Sequence, residues 1–383
     1  MKKALLLILA GPTLFGAGCR TVQPPWDGAL SAEDQALAEA MAYYAQGLIH
    51  EAELGWHSEA TLQAFAKAAE RAPNQYRVQY NLALAHFHQQ RIDTARAVLE
   101  RFSKRNPGHA LSKLDLAAFA QAGGDTDAAI RHYREALRHD PPLVWPYLDL
   151  ARLLFQKQND GEALMVLAKA MRRTDEPAVL QFCYDHGRLF LSNGEYERAI
   201  GCFELIAENT DPERLTPSFL LQHGAAYERS GQFEKAEAVF KQCLAVYPRT
   251  HEVLNYLAYM WAERGLHLDQ ALDYVKQALE QQPDNGAYVD TLGWIYYQMG
   301  RYPEALEQLK KANRLMPDDP TITDHVGDAY HALTDRENAI RFWKQSYALD
   351  PDNAEVVAKL EAEGIRPEPP TPKPNDEKRP HDE

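Results

Sequence analysis

Between Gly286 and Pro317 the apolar and small side chains fall at two successive helical spacings. Val289, Leu292, Gly293 and Tyr296 sit at i, i+3, i+4 and i+7. After a break at Met299-Gly300-Arg301, Pro303 opens a second run through Ala305, Leu309 and Ala312. Pro317 ends it, because proline has no N–H to donate and its ring clashes with the preceding turn. Two amphipathic helices joined by a short glycine turn make an αα-hairpin, and one such hairpin cannot cover its own apolar face.

The pattern recurs. Pro73, Pro107 and Pro141 lie 34 residues apart, as do Pro283, Pro317 and Pro351. Ahead of these prolines the second helices repeat one order: a small residue, a large one four later, usually a small one three further on. Ala129, Tyr133, Ala136 is one instance; Ala236, Phe240, Cys243 and Ala339, Trp343, Ser346 are others. The first helices answer with a pair ending in a small residue, as in Leu82-Ala83, His223-Gly224, Leu292-Gly293 and Val326-Gly327. Small slots let two helices approach closely, and a larger side chain there would overpack the contact by about 1–3 kcal/mol. A 34-residue helix-turn-helix period of this kind resembles the tetratricopeptide repeat. Residues 286–317 follow that family's pattern almost throughout, departing mainly at Val289, where a Trp is common. The resemblance implies an all-α fold: a right-handed α-solenoid of about nine repeats over residues 32–365, with a solitary capping helix near Ala354 to Glu363. A solenoid grows along one axis, so the length of 383 residues does not imply several globular cores. The turn of the first repeat is lengthened around Glu53–Ser58, and extra loop is expected at Asn209–Pro217.

The ends of the chain read differently. Met1-Lys2-Lys3 and the short apolar run from Ala4 to Ala10 precede Gly16-Ala17-Gly18 and Cys19. The run is too short and too broken for a membrane span. Small residues directly before a cysteine resemble a bacterial lipoprotein signal, which implies a signal peptide over 1–18 and lipid attached at Cys19. Gly16 departs from the usual leucine, and ordinary secretory cleavage is the alternative. Arg20, in place of an aspartate, points by the family's sorting rule to the outer membrane. Residues 19–31 then form a tether. Residues 366–383, RPEPPTPKPNDEKRPHDE, are proline-rich and charged and are expected to be disordered.

Composition narrows the chemistry. With 41 Lys+Arg against 55 Asp+Glu the formal net charge is −14, which argues against a nucleic-acid partner. His251-Glu252-Val253-Leu254-Asn255 begins like a zinc-protease helix but lacks the second histidine. His86 and His88 point to different faces of a helix. There is no GxxxxGK[ST], GxGxxG or GxSxG. The reading is a non-enzymatic protein with no metal, no cofactor and no small-molecule substrate. Cys243 fills a small core slot, an inert setting for a thiol. Cys183 and Cys202 lie on the two helices of one repeat; either a bridge or two buried thiols fits, because sequence does not supply the Cα separation.

Function then falls to a surface. In the family that the chain resembles, the first helices line a groove that receives extended or helical peptides. The matching outward positions include Tyr80, Phe87, Trp145 and Arg152, then Tyr184 and Arg188. Toward the C-terminus come Asn255, Tyr259, Glu263, Asp290, Trp294, Tyr297, Asp324 and Asp328. The last three repeats present mostly acidic and aromatic groups, so a partner segment carrying Lys or Arg beside an apolar anchor is expected there. Signal, tether and solenoid together are similar to bacterial tetratricopeptide lipoproteins. That likeness implies an adaptor in the cell envelope, held by lipid at the outer membrane, facing the periplasm and binding other proteins. The alternative is a structural or assembly component of a secretion, pilus or exopolysaccharide-export complex.

Overall fold

Each small slot on a first helix meets the large residue that the period sets opposite it. A Cβ built on Gly187, Gly224, Gly293 or Gly327 would come within 2.7 Å of a side-chain atom of Phe203, Phe240, Leu309 or Trp343 respectively. The offset is sixteen residues in all four (187 to 203, 224 to 240, 293 to 309, 327 to 343). In the first repeat Gly47 meets Phe65, eighteen residues on, because the turn at Gly55–Ser58 is longer. The glycines are there for close approach of the helices, and any side chain would force them apart.

The computed structural model describes residues 30–139, 143–173 and 177–366. The lipoprotein-type signal, Cys19 and most of the tether, and all but Arg366 of the proline-rich tail, lie outside the described residues. Nineteen α-helices and one short 3-10 helix (Pro212–Arg214) form the described part. The first eighteen helices make nine antiparallel pairs: repeats 1 to 9 cover 32–71, 76–105, 110–137, 145–173, 177–208, 217–246, 251–281, 286–315 and 320–349. A last helix, Ala354–Ala362, follows. This is an α-solenoid.

The prolines act at the second-helix ends. Ala72, Asn106, Tyr247, Gln282, Met316 and Asp350 each precede a proline, and each has left helical geometry, with φ between −125° and −137°. Proline Cδ disfavours the α region for the residue before it. Between the paired helices the chain needs one left-handed residue. Gly124, Gly194, Gly231 and Gly300 supply it at φ 75–80°, whereas Gln90, Gln158 and Thr334 adopt it in repeats 2, 4 and 9.

The described residues divide into two compact units after Phe182, within the first helix of repeat 5 (Pro177–Ser192). In unit 1, Phe65, Leu82, Val98, Leu99, Leu116 and Phe119 belong to one continuous buried cluster running through repeats 1 to 3. In unit 2 smaller clusters link successive repeats, such as Leu309 with Val326 and Trp343 with Val356 and Leu360. His223, in a slot that most other repeats fill with an apolar side chain, is buried among Phe203, Phe219 and Tyr227. Burial lowers its pKa to about 4, so it packs as a neutral ring. Cys183, Cys202 and Cys243 are all buried thiols.

Candidate functional site

The first helices of repeats 7 (His251–Glu263), 8 (Gly286–Gln298) and 9 (Pro320–Ala332) are neighbours in unit 2. Side chains one turn apart on a helix share a face, and Tyr259 with Glu263, Asp290 with Trp294, and Asp324 with Asp328 are such pairs. The centre of the face is a stack. Trp294 lies flat against Tyr297 with ring centroids 4.7 Å apart and 4° between planes, and against His325 at 4.1 Å and 12°. Its indole N–H is buried and has no hydrogen-bond acceptor. Glu263 is near enough to feel that group: burial raises its pKa, while the charge of His325 and the polar hydrogens of Trp294 and Tyr259 act the other way.

The acidic positions are not alike. Asp290 is buried, and both its carboxylate oxygens lie within 3.1 Å of His325 Nδ1. Burial works against a charged imidazole, but Asp290, Asp324 and Asp328 outweigh it, so the His325 pKa is raised. The same carboxylates favour the charged form of His325, and a protonated ring stacked on the face of Trp294 would also be attracted by the ring quadrupole. Asp324 and Asp328 are buried too. Lys359, from the last helix, donates to Asp324 Oδ1 and Oδ2 at 2.9 and 2.8 Å and to Asp328 Oδ2 at 2.8 Å. Trp343 Nε1 donates to the other Asp328 oxygen at 3.0 Å. Burial disfavours the Lys359 charge, yet the two carboxylates raise its pKa.

Three of the acidic groups expected to await a partner cation are thus already bonded to basic groups of the chain itself, Asp290 to His325 and Asp324 and Asp328 to Lys359. Charges taken out of water must be paired in this way, because an isolated buried carboxylate costs several kcal/mol. Glu263 is the exception: it has no ion pair among the described residues, and although the residue is exposed at the rim, its neighbours withdraw the carboxyl partly from water. Tyr259 is half-buried, and burial raises its pKa. Asn255 is half-buried as well, its side-chain oxygen lacking a hydrogen bond.

The remaining expected positions lie on the first helices of other repeats. Tyr184 and Arg188 sit together on the first helix of repeat 5, the guanidinium 5.8 Å from the ring centre. In unit 1, Phe87 packs on Phe119 at 5.0 Å and belongs to the core's margin. Tyr80 lies against Tyr76, whose hydroxyl donates to Asp115 at 2.6 Å. Arg152 pairs with Asp149 at 2.5 Å and lies over Phe182. Trp145 is 42% exposed and meets Tyr133 edge-on at 6.5 Å.

His325 and Lys359 were not singled out by pattern reading, yet a signal existed. Asp290 to His325 and Asp324 to Lys359 are both separations of 35 residues, the repeat period plus one. Among the described residues no group of three or more His, Cys, Asp or Glu is placed to hold a metal ion, and no helix is long and apolar enough to cross a membrane.

Models of the tetratricopeptide repeat match residues 120–183 and 267–323 in one version, and 37–110, 80–144 and 221–286 in another. No curated protein matches the chain. Solved structures of MamA are similar at low identity. That of AMB-1 is 22% identical with a TM-score of 0.37, over 44% of this chain and 98% of its own. MamA of MSR-1 gives 22% and 0.36, over 46% and 98%. MamA 41-end from Desulfovibrio magneticus RS-1 gives 19% and 0.39, over 46% and 97%. With matches spanning 37–183 and 221–323, and nine helix pairs in the fold, the chain belongs to the tetratricopeptide repeat family.

Proposed function

We propose that this protein is an adaptor that works by binding, not catalysis, held in the bacterial envelope by lipid on Cys19 at the outer membrane. A tetratricopeptide array implies protein partners. The docking surface is the face formed by Tyr259, Glu263, Trp294 and Tyr297. The observation that carries this reading is Trp294, fixed between Tyr297 and His325 with an unpartnered N–H beside Glu263. Rigid aromatic groups lose little entropy on binding, which is why they dominate interface energetics.

The partner is a peptide or helical segment carrying one Lys or Arg beside an apolar or carbonyl-rich anchor. The cation would sit on Glu263, since Asp290, Asp324 and Asp328 are already paired. A backbone carbonyl would accept from the Trp294 N–H. Anchoring at a membrane raises the local concentration of whatever the face holds.

The test is capture of envelope proteins by the wild-type chain and by Tyr259→Ala/Trp294→Ala/Tyr297→Ala. Each anchor removed is expected to cost about 2 kcal/mol, so the triple variant should lose capture while keeping its helical content and unfolding as one transition. Unchanged capture refutes the docking face. Cys19→Ala is expected to release the chain from membranes and to abolish fatty-acid labelling; a variant that stays membrane-bound refutes the anchor.

A further inference from the structure

The docking face lies next to the point where the chain leaves its last helix. The first helices of repeats 7, 8 and 9 end at Glu263, Gln298 and Ala332, and the last helix at Ala362. Glu363 holds that last end beside repeat 9: its carboxylate bonds Arg336 and lies 3.5 Å from His331 Nε2. Gly364 then turns the chain at φ 76°, and Ile365 packs on the cluster of Trp343, Val356 and Leu360. The chain therefore leaves beside the end of repeat 9's first helix, the same end at which Tyr297 and Glu263 stand on repeats 8 and 7. Tyr259, Trp294 and Tyr297 are half-buried, so part of each ring is open. Tyr302 extends the aromatic row, its ring 5.4 Å from that of Tyr297.

We propose that residues 369–374, PPTPKP, lie along this face and occupy it until a partner displaces them. The inference rests on the docking face described above and names what regulates it. Three observations select this segment. The first is reach. Neighbouring helices pack about 10 Å apart, so Tyr297 and Glu263 lie about 10 and 20 Å from the His331 contact. Pro369, Pro370 and Lys373 are three, four and seven residues past Arg366. An extended proline-rich chain rises about 3.1 Å per residue, which brings the two prolines about 9–12 Å out, to Tyr297 and Trp294, and Lys373 about 22 Å out, to Glu263. The second is composition. Four of the six residues are proline, and such segments dock on aromatic rows at low entropic cost because their extended form is already set. The third is charge. Lys373 stands between two prolines with no acid from Pro369 to Asn375. Lys359, the nearest cation of the last helix, is already held by Asp324 and Asp328, which leaves Glu263 for Lys373.

The carbonyls of an extended proline-rich chain have no internal hydrogen bonds, so one of them can accept from the Trp294 N–H, which has no acceptor of its own. A tether this short holds the segment near the face at an effective concentration in the millimolar range. An outside segment carrying one Lys beside an apolar anchor thus meets a seat that is already filled, and weak imitations of the partner are turned away.

The test is zero-length coupling of amines to carboxylates by a water-soluble carbodiimide on the full chain, read by mass spectrometry of its fragments. An amide between Lys373 Nζ and Glu263 is the expected product, formed within one copy when isotope-labelled and unlabelled chains are mixed. Pro370→Ser/Pro372→Ser, which lies outside the helices, and Trp294→Ala should each lower its yield at least tenfold with helical content unchanged. A synthetic peptide of residues 366–380 should bind the full-length Lys373→Glu chain at least tenfold more tightly than wild type, because the intact segment competes with it. No amide, an amide only between copies, a yield indifferent to the proline changes, or equal peptide affinities would each overturn the proposal. Absence of the amide while the triple variant Tyr259→Ala/Trp294→Ala/Tyr297→Ala still loses capture would sink the segment and leave the docking face standing.

Discussion

Asp115 in unit 1 and the pair Asp324 and Asp328 in unit 2 pose the same problem, a carboxylate on a first helix facing away from bulk water, and resolve it differently. Asp115 is met by a neutral group, the Tyr76 hydroxyl. Burial outweighs that bond and pushes its pKa up to about 6. Asp324 and Asp328 are met by an ammonium, and Lys359 is in turn kept charged by them. A hydroxyl leaves a buried acid costly at neutral pH. An ammonium makes it part of the structure, at the price of tying the array's end to one side chain.

The largest expected effect comes from removing that side chain. Lys359→Met should cost about 3 kcal/mol, near the low end for an unmade buried pair because Lys359 keeps 27% of its side chain exposed. The check is hydrogen exchange over residues 320–362, where protection should fall while unit 1 is unchanged. Asp115→Asn should act in the opposite sense, stabilising the chain by about 2 kcal/mol at pH 7. The sign follows from the shift. The folded pKa of about 6 lies above the ordinary 3.8, so the folded state binds more protons between those values and stability falls as pH rises through them. Urea unfolding of wild type and variant should therefore converge below about pH 4 and differ fully above pH 6. Tyr76→Phe is the smallest of these changes, a loss of about 1 kcal/mol from a missing donor, and it should raise the Asp115 pKa further in a carboxyl titration followed by NMR. His325 supplies a pH test in unit 2. Its folded pKa is raised, so the stability it contributes is present below about 6.5 and lost as pH rises through the folded value. His325→Gln should remove that slope.

The repeat was legible because sterics write it into single positions. Gly293 against Leu309, Gly327 against Trp343, the residue before each terminal proline and the turn glycines all follow from local rules, and the fold conforms to them. The opening helix was legible only as a helix. Its exposed outer positions, such as Leu37, Leu48 and Ile49, carry no small-large order of the repeat kind. The acidic face was half legible. Tyr259, Trp294, Asp290, Asp324 and Asp328 could be placed on the correct helices, but their pairing lies one residue beyond the period. In unit 2 a carboxylate meets the position one beyond its own equivalent on the neighbouring helix, as Asp290 meets His325 and Asp324 meets Lys359. Register within one repeat carries no trace of that offset. For the same reason the sequence suggested open carboxylates where the fold supplies the basic partners His325 and Lys359, leaving Glu263 as the acid at the rim.

The 35-residue offset also makes the array's end interchangeable. Excision of residues 318–351, one whole period, would bring Lys359 to the place His325 holds opposite Asp290. The shortened chain would keep a buried acid and a base in contact at its terminus. Gain or loss of a hairpin by recombination would then strand no charge, which lets the length of such an array drift while its closing bond survives.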